Sequence, residues 1–209
     1  MKVEEHCREL VDKLYHDRDL SDLGLLTLME CESPEIAAYL NEKARTVRER
    51  YYGKDVYIRG LIEFTNFCKN DCYYCGIRRS NKNAQRYRLT EGEIISCAAD
   101  GYALGFRTFV LQGGEDPYFT DDKMTEIVSA IKTNFPDCAV TLSIGERERD
   151  SYAQLRKAGA DRYLLRHETA DADHYAALHP QEMSYPPPQP LPPYTPGVAK
   201  WDFSPAPTW

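Results

Sequence analysis

Cys68-Lys69-Asn70-Asp71-Cys72-Tyr73-Tyr74-Cys75-Gly76 is the stretch on which the reading of this chain turns. Three cysteines spaced C-x3-C-x2-C lie close enough for one short loop to bring them to a single metal centre. The spacing supplies three thiolates, not four. A structural zinc site is closed by four ligands, and an electron-transfer iron–sulfur cluster is usually held by four cysteines. Three thiolates on a four-iron cube leave one iron open to a small molecule. The competing reading is a zinc knuckle with a distant fourth ligand.

The rest of the composition bounds the setting of that loop. The chain has 209 residues, enough for one ordinary domain. Its 42% hydrophobic and 28% charged residues are those of a globular protein. A net charge of −7 argues against a nucleic-acid partner, which would call for a basic face. The N-terminus lacks a basic region followed by an apolar one, and no apolar run is long enough to span a bilayer. These features point to a cytoplasmic protein with no membrane partner. Seven cysteines in a reducing compartment are not a disulfide framework. Cys7, Cys31, Cys97 and Cys138 are scattered singly. Cys97 and Cys138 sit among apolar residues and are expected to be buried thiols acting as small hydrophobes.

Residues 1–54 read as a helical extension. Val3, Cys7, Leu10, Val11 and Leu14 recur at helical spacing, and a second short helix covers Ser21 to Glu30. Ser33 is the expected N-cap of a third helix, with Pro34 at its first position and Gly53 after its end. Residues 55–185 change character. Val56 to Phe64 is strand-like and leads straight into the cysteine loop. Thr90 and Glu93 form a capping box, and the helix that follows stops at Gly105. Thr108–Gln112 is a strand, Asp121 to Asn134 a helix, Ala139–Ser143 a strand and Arg149 to Ala158 a helix. Arg162–Arg166 is the fourth strand, followed by a helix near Asp171 to Leu178. This alternation predicts an α/β fold: a partial (β/α) barrel of about four units, its sheet parallel and its connections helical.

In such a barrel, chemistry gathers at the C-terminal strand ends, and each polar cluster falls there. The cysteine loop follows strand one, Gln112-Gly113-Gly114-Glu115 strand two, Ser143-Ile144-Gly145-Glu146 strand three and Arg166-His167-Glu168-Thr169 strand four. Gly113-Gly114 lets the backbone approach a ligand closely. Arg166 and Glu168 read either as ligand contacts or as an ion pair closing the rim. His167 points to the opposite face if the strand continues, and His174 and His179 carry no assigned role.

Several stretches together resemble one family. Cys68 to Asn83, Arg86-Tyr87-Arg88-Leu89, Leu111 to Tyr118 and Asp161 to Ala170 are similar to the HydE family of radical-SAM maturases. That family serves the active-site cluster of [FeFe]-hydrogenases and is related to biotin synthase and methylornithine synthase. The cysteine loop alone is specific only to the radical-SAM superfamily. The resemblance implies a [4Fe-4S] cluster on Cys68, Cys72 and Cys75, with S-adenosyl-L-methionine (SAM) on the open iron. It places Tyr74 near the adenine and Gly113, Gly114, Glu115, Ser143 and Glu168 among the SAM contacts. It turns Gln112, Thr141 and Arg166 toward a substrate cavity. It implies a small organometallic substrate and hydrogenase-maturation partner proteins.

From residue 186 to 209 the pattern departs from that family. Nine of the thirteen prolines lie in this segment, which reads as an extended, disordered tail. Pro190-Leu191-Pro192-Pro193 fits PxxP but lacks a flanking basic residue. HydE-like chains continue here through further β/α units, including an arginine that anchors SAM. The expectation is therefore a HydE-like chain truncated or frameshifted after about Tyr185. It stands either as a radical-SAM enzyme or as an inactive remnant that only binds the cluster.

Overall fold

The computed structural model describes residues 2–166 and 168–180. The expected orientation of His167 and the proline-rich segment 186–209 lie outside them. Two units separate after Tyr57. In the first, α1 (Lys2–Asp17), α2 (Asp22–Met29) and α3 (Pro34–Tyr52) bury Cys7, Val11 and Ile36 between them. Ser21 caps α2 by accepting from Gly24 N–H at 3.2 Å. Ser33 precedes α3 but makes no cap bond, because its hydroxyl donates to Glu4 at 2.9 Å. Pro34, with no N–H to satisfy, starts the helix regardless.

The second unit is built on β1 (Gly60–Thr65), β2 (Thr108–Gly113), β3 (Ala139–Ser143) and β4 (Arg162–Tyr163), parallel and in sequential order. The connections carry α4 (Glu91–Ala103), α5 (Asp121–Asn134) and α6 (Arg149–Ala158), and α7 (Ala172–Leu178) follows β4. One sheet face is apolar because Ile62, Phe64, Phe109, Leu111, Val140 and Leu142 fall on alternate positions of their strands. They pack against Ile94 and Ala98 of α4, Met124, Ile127, Val128 and Ile131 of α5, and Leu155 of α6. The capping box at Thr90 and Glu93 forms in both directions.

Both outer strands are shorter than their sequence suggests. The first register pair of β1 is Gly60 with Phe109, so Val56 to Arg59 have no ladder partner. Val56 and Ile58 are 81% and 65% exposed. After Tyr163 the chain keeps one bond to β3, from Leu164 N–H to Leu142 O at 2.7 Å, and then leaves the sheet. The fourth strand therefore does not reach Arg166. Cys138 is buried as expected, but Cys97 is exposed: it follows the buried face of α4 without belonging to it.

Candidate cofactor site at the strand ends

Register explains why the polar residues meet. Glu63, Gln112 and Ser143 occupy one row across β1, β2 and β3 near the C-terminal ends. The row points away from the helix-covered face, since residues of one row share a face. Gln112 donates to Glu63 Oε1 at 3.1 Å, and Arg166 donates to Gln112 Oε1 at 3.3 Å. Beyond this row opens a cavity of about 420 Å³, a size suited to a small molecule. It is lined by Cys68, Cys72, Tyr74 and Cys75, by Gln112, Gly113, Gly114 and Glu115, and by Ser143, Arg166 and Glu168. Thr141 does not line it. Two residues before Ser143 on β3, it is buried, and its Oγ1 has no hydrogen-bond partner among the described residues.

The cysteine loop is held from several sides. Arg86 donates to Ile77 O at 2.8 Å, Arg78 O at 2.7 Å and Asn81 O at 3.2 Å, and also to Asn66 O. A planar guanidinium serves four carbonyls that an ammonium could not reach together. The Arg86–Leu89 stretch then returns beside the end of β1, where Leu89 N–H donates to Phe64 O at 2.8 Å. Arg88 crosses to Asp116 with two bonds, at 2.6 and 2.9 Å. On the far side, Lys69 N–H donates to Glu115 O at 2.9 Å. Gly114 is a steric necessity: a Cβ there would stand 2.2 Å from Phe67 O and 2.8 Å from Cys68 Cβ.

Burial pushes the Cys68 and Cys72 thiols up, and in both cases hydrogen bonds pull back. For Cys72 the opposing donor is Tyr74. Burial first, and the nearby Cys72 sulfur and Glu168 after it, raise the Tyr74 phenol. Burial also raises the Glu146 carboxyl, helped by the Glu115 charge and opposed by Lys69. Glu168 sits at φ 62°, a left-handed conformation uncommon for a residue with a side chain.

Several cavity residues carried no assigned role from sequence, among them Asn70, Gly145, Glu63 and His179. Asn70 is unremarkable between two cysteines. Gly145 carried the same signal as Gly113-Gly114, a glycine just past a strand. Glu63 hides in the alternation of β1. His179 lies at the end of α7, buried, with its Nδ1 2.8 Å from Tyr175 O and its Nε2 3.3 Å from the Tyr74 hydroxyl.

The donor set can be tested against the possible metals. Among the described residues no cysteine is in a disulfide, and no three Cys, His, Asp or Glu side chains converge on one ion. Three thiols spread around one concavity fit an iron–sulfur cube, in which each thiolate takes its own iron. Gly113 and Gly114 line the cavity beside them.

Fold and site together define a β/α chain with a three-cysteine cluster loop at its strand ends. The chain belongs to the radical SAM superfamily, which it matches over residues 62–184. It is similar to the [FeFe] hydrogenase maturase subunit HydE of Thermotoga maritima, with 43% identity over 173 residues, covering 83% of this chain and 49% of that protein. Its structure is similar to methylornithine synthase, PylB, with TM-score 0.73 and 32% identity, covering 83% of this chain and 51% of that one. It is also similar to HydG, a maturase of the [FeFe]-hydrogenase, with TM-score 0.77 and 26% identity, covering 85% and 40%. The chain spans about half the length of the curated relatives it matches. Among the described residues no helix is long and apolar enough to cross a membrane.

Proposed function

We propose that this chain carries the cluster half of a radical-SAM enzyme of the HydE type, acting in assembly of the [FeFe]-hydrogenase active-site cluster. The observation that carries the reading is the shared cavity. Cys68, Cys72 and Cys75 face it together with Gly113, Gly114, Ser143 and Glu168. In this reading the three thiolates hold a [4Fe-4S] cluster. What that group supplies when bound is one electron to SAM, whose reductive cleavage starts the radical chemistry.

The chain's own residues bind and orient. The cradle at Gly113 and Gly114 takes the polar end of SAM against bare backbone, and the Glu168 carboxylate takes its ammonium. Tyr74 offers a ring face to the adenine while its hydroxyl is anchored on His179. Gln112 and Arg166, joined by a hydrogen bond, present an amide and a guanidinium to a small anionic substrate. A small organometallic substrate and hydrogenase-maturation partner proteins follow from the similarity to HydE. Methylornithine synthase chemistry is the second reading, favoured by the similarity to PylB.

Among the described residues the cavity is lined by the cysteine loop, the ends of the four strands, and Tyr175 and His179 at α7, and it opens to solvent. Radical chemistry needs a closed, dry site. The 209-residue chain by itself is therefore expected to hold the cluster and to turn SAM over poorly.

Anaerobic reconstitution tests the reading. The chain is expected to take up about four irons and four sulfides, as a cube requires. Cys72→Ala is expected to abolish this, and Cys97→Ala is not. Full loading of Cys72→Ala would refute the assignment.

A further inference from the structure

Glu115 lies on the loop after β2, yet its side chain is spent on the cysteine loop. Its Oε1 accepts from Asn70 Nδ2 at 2.8 Å, and its Oε2 stands 3.2 Å from Lys69 Nζ. Its backbone carbonyl accepts from Lys69 N–H at 2.9 Å. The carboxylate also lies directly over Gly145, where a Cβ would come within 2.1 Å of its Cγ and 2.5 Å of its Oε1. Gly145 has φ 79°, so the loop after β3 both turns there and leaves that space. Three loops thus meet on one side chain. The backbones of Asn70 and Glu115 lie against the Cys68 sulfur, and their hydrogen bonding pulls its thiol down against the raising effect of burial.

We propose that Glu115 is a positioning residue for Cys68. Its carboxylate clasps Asn70 across the cavity mouth and holds the backbones of both residues against that sulfur. The proposal rests on the reading of Cys68 as a cluster ligand. Asn70 engages Oε1, while Oε2, ion-paired with Lys69, is buried without a hydrogen bond among the described residues. Hydrogen bonds to a cluster sulfur stabilise the more electron-rich state and so raise the reduction potential. Loosening the clasp lowers it.

The test uses the 209-residue chain reconstituted without oxygen. Its readouts are the cluster's midpoint potential by electron paramagnetic resonance and the rate of iron loss to a chelator. Glu115→Ala is expected to speed iron loss. Its lost hydrogen bonds lower the potential while the lost carboxylate charge raises it, so the potential is read on Asn70→Asp. That variant sets two carboxylates face to face and should also speed iron loss. Both effects lower its potential, by about 59 mV for a tenfold change. The pair Asn70→Asp with Glu115→Gln reverses donor and acceptor and should restore both readouts. A general packing role would not give that rescue. Where a single variant holds no cluster, recovery of loading in the reversed pair supports the clasp, and its absence overturns it. Parent iron loss in Glu115→Ala or a parent potential in Asn70→Asp would overturn it too, and weakened SAM binding alongside them would make Glu115 a SAM ligand. If the parent chain takes up no four-iron cluster, the cluster reading itself falls, and the clasp with it.

Discussion

Asp116 shows how one residue ties the site to the fold. It is 2% exposed and accepts from Thr65 Oγ1 at 2.8 Å and from Arg88 at 2.6 and 2.9 Å. Arg88 is itself held over the Phe67 ring at 3.9 Å and the Tyr118 ring at 4.9 Å. Burial works to raise the Asp116 carboxyl, but the bonds from Arg88 and Thr65 outweigh it and hold the group below the ordinary carboxylate range. A carboxyl depressed by folding contributes stability that is full above its unfolded pKa and lost as pH falls through its folded one. Asp116→Asn is expected to cost about 1–3 kcal/mol at neutral pH and to flatten the acid limb. Urea denaturation across an acid series measures both. For Glu168→Gln we expect unchanged iron content and SAM affinity weaker by roughly ten- to a hundredfold, the weight of a charged hydrogen bond. Equilibrium dialysis against the reconstituted protein reads this, and equal affinities would remove Glu168 from the site.

Elements differ in how they are secured. Helix α4 rests on a reciprocal cap, with Glu93 N–H donating to Thr90 Oγ1 at 3.3 Å and Thr90 N–H to Glu93 Oε2 at 2.6 Å. Thr90→Ala is expected to cost about 1 kcal/mol, seen as a lower urea midpoint at unchanged slope. The cysteine loop has no regular structure to lean on, and Arg86 gathers its carbonyls instead. Arg86→Lys keeps the charge but loses the fork. It should accelerate chelator removal of iron while leaving the far-ultraviolet circular dichroism at parent values. Iron loss as slow as the parent's would show that the loop is held by other contacts.

At the largest scale, within the second unit, α4, α5 and α6 cover one face of the sheet, and the other face carries the polar row. That inner face carries Leu61, 55% exposed, and Leu164, 48% exposed, beside the polar row. Outer strands with unpaired backbone and apolar neighbours favour association. The 209-residue chain is expected to self-associate with rising concentration in sedimentation velocity, and Leu61→Ser with Leu164→Ser to reduce it. A concentration-independent monomer would show that this face is harmless.

What the sequence determined by itself was local. The helix Asp121–Asn134, the strand Ala139–Ser143 and the helix Arg149–Ala158 stand where caps, periodicity and a closing glycine put them. Each signal spans a few residues and needs no distant partner. The three thiolates were legible for the same reason, since eight consecutive positions carry them. Strand ends were not legible, because a strand starts and stops where its ladder does: β1 begins at Gly60 because its ladder on β2 begins at Phe109. Cys97 looked buried from its neighbours, but the angle of α4 on the sheet turned it outward. The clasp between Asn70 and Glu115 joins residues 45 apart, and Gly145 completes it from a third loop. Only the parallel register brings those three loops to one point. Sequence supplied the donors of the site, and tertiary structure decided which side chains hold them in place.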